Sequence, residues 1–119
     1  MKLGVVGSRG FTDYSTFEKH LRATIEHYGI TCLVSGGAEG PDKMAERYAK
    51  ENGVPIIIHE AEWEIYGLSA GYRRNKLIWK DSDMILAFWD GESKGTRHTM
   101  ENYKGKLFVL AVDTDQEEW

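Results

Sequence analysis

Five short apolar runs alternate with stretches whose apolar residues recur every three to four positions. Lys2 to Gly7, Ile30 to Ser35, Val54 to His59, Asp83 to Trp89 and Leu107 to Val112 read as strands, the first of them buried. Tyr14 to Tyr28 reads as a helix, with Phe17, Leu21, Ile25 and Tyr28 on one face. Asp13 or Ser15 caps its start, and Gly29 stops it. Pro41 to Glu51 predicts a second helix, with Pro41 suited to a first turn and Met44, Ala45, Tyr48 and Ala49 facing inward. Ala70 to Lys80 and Thr96 to Lys104 predict two more. Glu60 to Ser69, which holds Trp63, Tyr66 and Gly67, has no period and reads as irregular.

Strands alternating with helices imply right-handed crossovers and a parallel sheet. The expected fold class is α/β, a Rossmann-like three-layer sandwich on a five-stranded, mainly parallel sheet of order 3-2-1-4-5. One domain spans 1–112 and an acidic tail spans 113–119. In that order the switch point lies between strands one and four, where open α/β sheets bind ligands. Three glycine turns gather there: Val6-Gly7-Ser8-Arg9-Gly10, Ser35-Gly36-Gly37-Ala38-Glu39-Gly40 and Asp90-Gly91-Glu92-Ser93-Lys94-Gly95-Thr96. Glycine admits a ligand close to the backbone, and the following helix end offers N–H groups to an anion. The pattern points to a phosphate-bearing small molecule.

Charge sharpens this. With 15 Lys and Arg against 19 Asp and Glu, the net charge is −4, which argues against a general nucleic-acid binder. Positive residues still cluster at Arg73, Arg74, Lys76 and Lys80, and again at Lys94 and Arg97, as a local anion site requires. The single cysteine, Cys32, lies in an apolar run and reads as a small buried side chain. No signal-peptide pattern or long apolar stretch is present, so a cytoplasmic protein with no membrane partner is expected. His20, His27, His59 and His98 lack metal-ligand spacing, so neither a metal site nor a cofactor is expected.

Each candidate has an ordinary reading beside the functional one. Gly7-Ser8-Arg9-Gly10 makes a tight turn, but its hydroxyl and guanidinium also suit phosphate. The second turn lacks the Gly-Lys-Ser/Thr of a P-loop, which argues against that class of NTPase. Asp42 either favours the helix dipole or holds a ribose hydroxyl or a water. Arg73 and Arg74 are either solvated or anion-binding. Asn75 shares a face with Tyr72 and Trp79, and its amide needs a ligand or a neighbouring loop as partner. Ser93 and Thr96 can donate to phosphate, and Thr96 equally serves as an N-cap. Trp63, Tyr66, Phe88 and Trp89 pack a core, form an oligomer contact or stack on a nucleobase.

Gly7-Ser8-Arg9, Ser35-Gly36-Gly37-Ala38-x-Gly40-x-Asp42, Trp63…Gly67…Ala70-Gly71…Arg74-Asn75 and Gly91-x-Ser93-x-Gly95-Thr96 together resemble the YspA-like branch of the SLOG superfamily. That superfamily includes the cytokinin-activating "Lonely guy" phosphoribohydrolases. The resemblance implies a Rossmann-like domain for nucleotides or nucleotide-derived ligands, bound through Gly7, Ser8, Arg9, Ser35, Gly36, Gly37, Gly40, Asp42, Arg74, Asn75, Gly91, Ser93, Gly95 and Thr96. The chain departs from the hydrolase pattern Pro-Gly-Gly-x-Gly-Thr-x-x-Glu: the glutamate position is Thr99, and Glu101 falls elsewhere on the helix.

Two functions follow. One is a sensor, carrier or sequestering protein for a nucleotide derivative such as an ADP-ribose-like molecule. The alternative is an N-glycosidic hydrolase using another carboxylate, with Asp42, Asp90 and Glu92 as candidate catalytic groups. The number of large aromatics also leads to an expected homo-oligomer, a twofold dimer through the helix around Leu77 and Ile78.

Overall fold

The computed structural model describes residues 1–111. Strands β1 (Lys2–Gly7), β2 (Cys32–Ser35), β3 (Ile56–Ile58), β4 (Met84–Trp89) and β5 (Lys106–Ala111) form one sheet of order β3-β2-β1-β4-β5. Every pairing is parallel, and β1 runs beside β4 from Leu3↔Met84 to Gly7↔Phe88. Val112 and the expected acidic tail 113–119 lie outside the described residues.

Helices cover both faces. Helices α1 (Tyr14–Tyr28) and α2 (Pro41–Asn52) bury Phe17, Leu21, Ala45, Tyr48 and Ala49 against Leu3, Val5, Leu33, Met84, Leu86 and Phe88. Helices α4 (Ala70–Asp81) and α5 (Lys94–Asn102) cover the other face, where Ile78 packs with Val6, Val34, Ile85 and Ala87. The alternation of Leu3 and Val5 with Val6 follows from the two-residue pleat, which sends successive side chains to opposite faces. Both faces are apolar because both are covered. Asp13 is the N-cap of α1, its carboxylate accepting the Thr16 N–H at 3.1 Å, and Gly29 ends the helix in the left-handed region at φ 65°.

Four expectations change. The stretch expected to be irregular carries a short helix, α3 (Trp63–Tyr66), and a 3-10 turn at Gly67–Ser69. The last helix begins at Lys94, not Thr96, because the Asp90 carboxylate accepts the N–H groups of Glu92 and Ser93 and closes the turn earlier. Cys32 is half-buried at the start of β2. Ile78, expected at a subunit contact, is 1% exposed and belongs to the core, whereas its neighbour Leu77 is exposed. No helix among the described residues is long and apolar enough to cross a membrane.

Candidate functional site

The turns after β1 and β4 are stitched together. The Ser8 N–H donates to the Phe88 carbonyl at 2.9 Å, and the Asp90 N–H donates to Ser8 Oγ at 3.0 Å. The turn after β2 packs against the first. Gly40 sits at φ 81° and ψ −136°, and a β-carbon there would stand 2.8 Å from the Ser8 carbonyl oxygen.

Between these turns lies a cavity of about 420 Å³. Gly7, Ser8, Arg9 and Gly10 form one side; Asp90, Ser93, Gly95, Thr96 and Thr99 form the side under the α5 N-terminus. Ala38 and Asp42 enter from the second turn, and Arg74, Asn75 and Ile78 from α4. A second cavity of about 350 Å³ adjoins it, sharing Arg9, Ala38 and Arg74 and adding Gly36, Gly37, Glu39, Glu60, Ala61 and Trp63.

Arg74 is the hub. Its Nη1 donates to the Gly36 carbonyl at 2.8 Å, and its Nε donates to Asn75 Oδ1 at 3.0 Å. The same Nη1 stands 3.9 Å from the Asp42 carboxylate. Asn75 is buried, and its Nδ2 donates to the Gly95 carbonyl at 3.3 Å. Its amide is therefore partnered by the first turn of α5 and by Arg74, and it positions Arg74 against that turn.

The electrostatics follow from burial. Burial lowers the Arg74 pKa, Asp42 opposes that, and nearby Arg9 lowers it further. Asp42 is 6% exposed; burial raises its carboxyl to about 6 against the Ala38 N–H, at 3.1 Å, and the pull of Arg74. Two arginines, Arg9 and Arg74, thus line the cleft together with two carboxyl groups, Asp42 and Asp90.

This has a measurable consequence. The folded value of Asp42 lies above its unfolded value near 3.8, so the fold favours the neutral form. The stability from that preference is fully present below about pH 4 and is lost as pH rises through about 6. The rise corresponds to about 3 kcal/mol at most. We expect Asp42→Asn to flatten the profile of melting temperature between about pH 4 and pH 7. An unchanged profile would assign the pH dependence to other groups.

Of the three candidate catalytic carboxylates, Asp42 alone combines a place in the cavity with a raised pKa. Asp90 also lines it; burial raises its carboxyl, but hydrogen bonds from Ser93 and Glu92 outweigh that and hold it below the usual range. Glu92 is exposed and does not line the cavity. Glu101 is exposed and paired with Arg97 at 2.7 Å. Thr99, at the position of the hydrolase glutamate, does line the cavity, buried, with a hydroxyl and no carboxylate.

Other expected residues divide by position. Ser35 is fully buried, its Oγ donating to the Asp42 carbonyl at 3.2 Å, and so shapes the turn. Gly40 and Gly91, at φ 81° and 87°, line neither cavity and set backbone direction. Gly36 and Gly37 line the second cavity only. Thr99, Ala38, Gly10 and Glu60 join the walls without a functional reading from the sequence, and Trp63, for which nucleobase stacking was one reading, lines the second cavity. The four-residue spacing of Gly95 and Thr99 on one helix was the available signal for Thr99.

The chain matches the model of the YspA, cpYpsA-related SLOG family over residues 1–66. It is 36% identical over 104 residues to the Gene 61 protein of Mycobacterium phage D29, covering 81% of this chain and 82% of that protein. No solved structure matches it.

Proposed function

The chain belongs to the YspA, cpYpsA-related SLOG family, and from that premise we propose that it binds a nucleotide or nucleotide-derived ligand by its phosphate. The observation that carries this is the convergence of Arg9 and Arg74 on one cleft beneath the α5 N-terminus. A guanidinium is a planar fork of N–H donors matched to the oxygens of a phosphate. Ser8, Ser93 and Thr96 add hydroxyl donors, and the α5 N-terminus adds free N–H groups. With a hydroxyl at Thr99 in place of a carboxylate, the reading is a binding protein: a sensor, carrier or sequestering protein, with an ADP-ribose-like molecule or a nucleoside phosphate as ligand.

A second reading, N-glycosidic hydrolysis, is favoured by one observation. Asp42 is a cavity-lining carboxyl that titrates near neutral pH, as a general acid or base requires. Incubation with nucleoside monophosphates and ADP-ribose, followed by chromatography, separates the two. Ligand recovered unchanged after calorimetric evidence of binding supports the first; release of free base supports the second. Absence of binding to every phosphate-bearing probe overturns both. A homodimer through α4 would rest on exposed Leu77, and a light-scattering mass near 13.6 kDa would remove it.

A further inference from the structure

We infer that the second cavity is a nucleobase and ribose lobe, with the Trp63 indole as its stacking platform, so that the ligand lies across the Arg9–Arg74 ridge. This rests on the phosphate reading of the first cavity and assigns the other end of the molecule. The two cavities share Arg9 and Arg74, so one ligand can pass from one to the other without leaving the cleft. Each volume alone, about 420 and 350 Å³, is near the lower end for small-molecule sites.

The two lobes differ in chemistry. The first holds hydroxyls, glycine turns, a helix N-terminus and two carboxyl groups, Asp42 and Asp90, which accept N–H groups of their own turns. The second holds the carboxylates of Glu39 and Glu60 and an indole that is 49% exposed. The Glu39 and Glu60 carboxylates can accept hydrogen bonds from ribose hydroxyls or an exocyclic amine. The helix N-terminus lies in the first lobe and the indole in the second, which gives the ligand one orientation: phosphate beneath α5, base beside α3.

Trp63 is built into the wall of this lobe. The indole edge lies over Gly71 of α4, where a β-carbon would stand 3.3 Å from Cη2. On the facing turn, Glu60 lies over Gly37, where a β-carbon would stand 3.3 Å from its Cγ. Glycine at both places leaves room for the side chains that bound the lobe. The other aromatics are committed elsewhere. Phe88 is fully buried in the core, Trp89 Nε1 donates to the Ser93 carbonyl at 3.1 Å, and the Arg73 guanidinium covers the Tyr66 ring at 4.1 Å.

Calorimetry with the four ribonucleoside 5′-monophosphates and with ribose 5-phosphate tests this on the full chain. At least one nucleotide should bind more tightly than ribose 5-phosphate. Trp63→Leu should weaken that nucleotide about 10-fold, within the range for base–aromatic stacking, and leave ribose 5-phosphate unchanged. Trp63→Phe should keep most of the affinity, and melting curves verify that both variants fold. Equal binding of ribose 5-phosphate and every nucleotide overturns the base lobe while the phosphate site stands. Equal weakening of both probe types by Trp63→Leu also overturns it. If neither probe type binds the unaltered protein, the phosphate reading fails and this inference fails with it.

Discussion

Arg74→Ala is expected to weaken nucleotide binding by about 1.5–3 kcal/mol, the range for a hydrogen bond to a charged group. It should also lower the stability of the free protein. The side chain ties three parts of the cleft together: the Gly36 carbonyl, the Asn75 amide and the Asp42 carboxylate. Truncation leaves Asp42 buried without its cation, and breaking a buried pair in this way costs about 3–5 kcal/mol when the remaining group stays charged. Asp42 escapes part of that cost by taking up a proton, since it already titrates near 6. The loss of stability is therefore expected to be larger at pH 8 than at pH 5, which melting curves at the two values read directly. Arg74→Lys should not restore binding, because one ammonium cannot reproduce the planar fork that reaches both Gly36 and Asn75. Unchanged affinity for every phosphate-bearing probe would remove Arg74 from the site.

Gly40→Ala should have an equally large effect by another route. At φ 81° and ψ −136° the residue occupies backbone space that side-chain-bearing residues avoid, at a cost of about 1–3 kcal/mol. The added carbon also meets the Ser8 carbonyl oxygen at 2.8 Å and the Arg9 Cα at 3.1 Å. Neither neighbour is a flexible side-chain end, so the first and second turns must separate. The expected result is a fall in melting temperature of about 10 °C, taking about 3 kcal/mol in all for a domain of this size. Weaker binding should accompany it, because Ser8 and Arg9 move with their turn. A melting temperature within a degree or two of the unaltered protein would show that the turns yield without loss.

The sheet order was legible because each strand is a short apolar run and each crossover carries its own helical period and stop signals. The glycine turns were legible for a related reason: parallel strands deliver their following turns to one edge. Trp63–Tyr66 escaped because a single helical turn with exposed side chains has no buried face to create a period. Ile78 reads as surface in the sequence because α4 carries charged residues on both sides of its buried stripe at Ala70, Asn75 and Ile78. Ser35 reads as a ligand contact in the sequence, yet its hydroxyl donates to the Asp42 carbonyl, a pairing that nothing in the local sequence announces. The second lobe was the least legible part. It depends on Glu60 and Trp63 coming to face Gly36 to Glu39 across the turns, a long-range arrangement without a local pattern.

The sheet order has a consequence for the order of assembly. The central strand, β1, is the earliest of the five to be synthesised, and its β4 partner begins at Met84, just after Asp83, whose carboxylate accepts the Lys2 N–H from 81 residues away. The β1-α1-β2-α2-β3 half can pair as it emerges, but the longer of the central strand's two pairings waits for β4. Loop closure over so long a stretch is slow compared with local pairing. Arg74, Asn75 and the α5 turn all belong to the late-arriving half. The cleft is thus a seam between early and late segments, and a ligand bound across it fastens the last step of folding to the first.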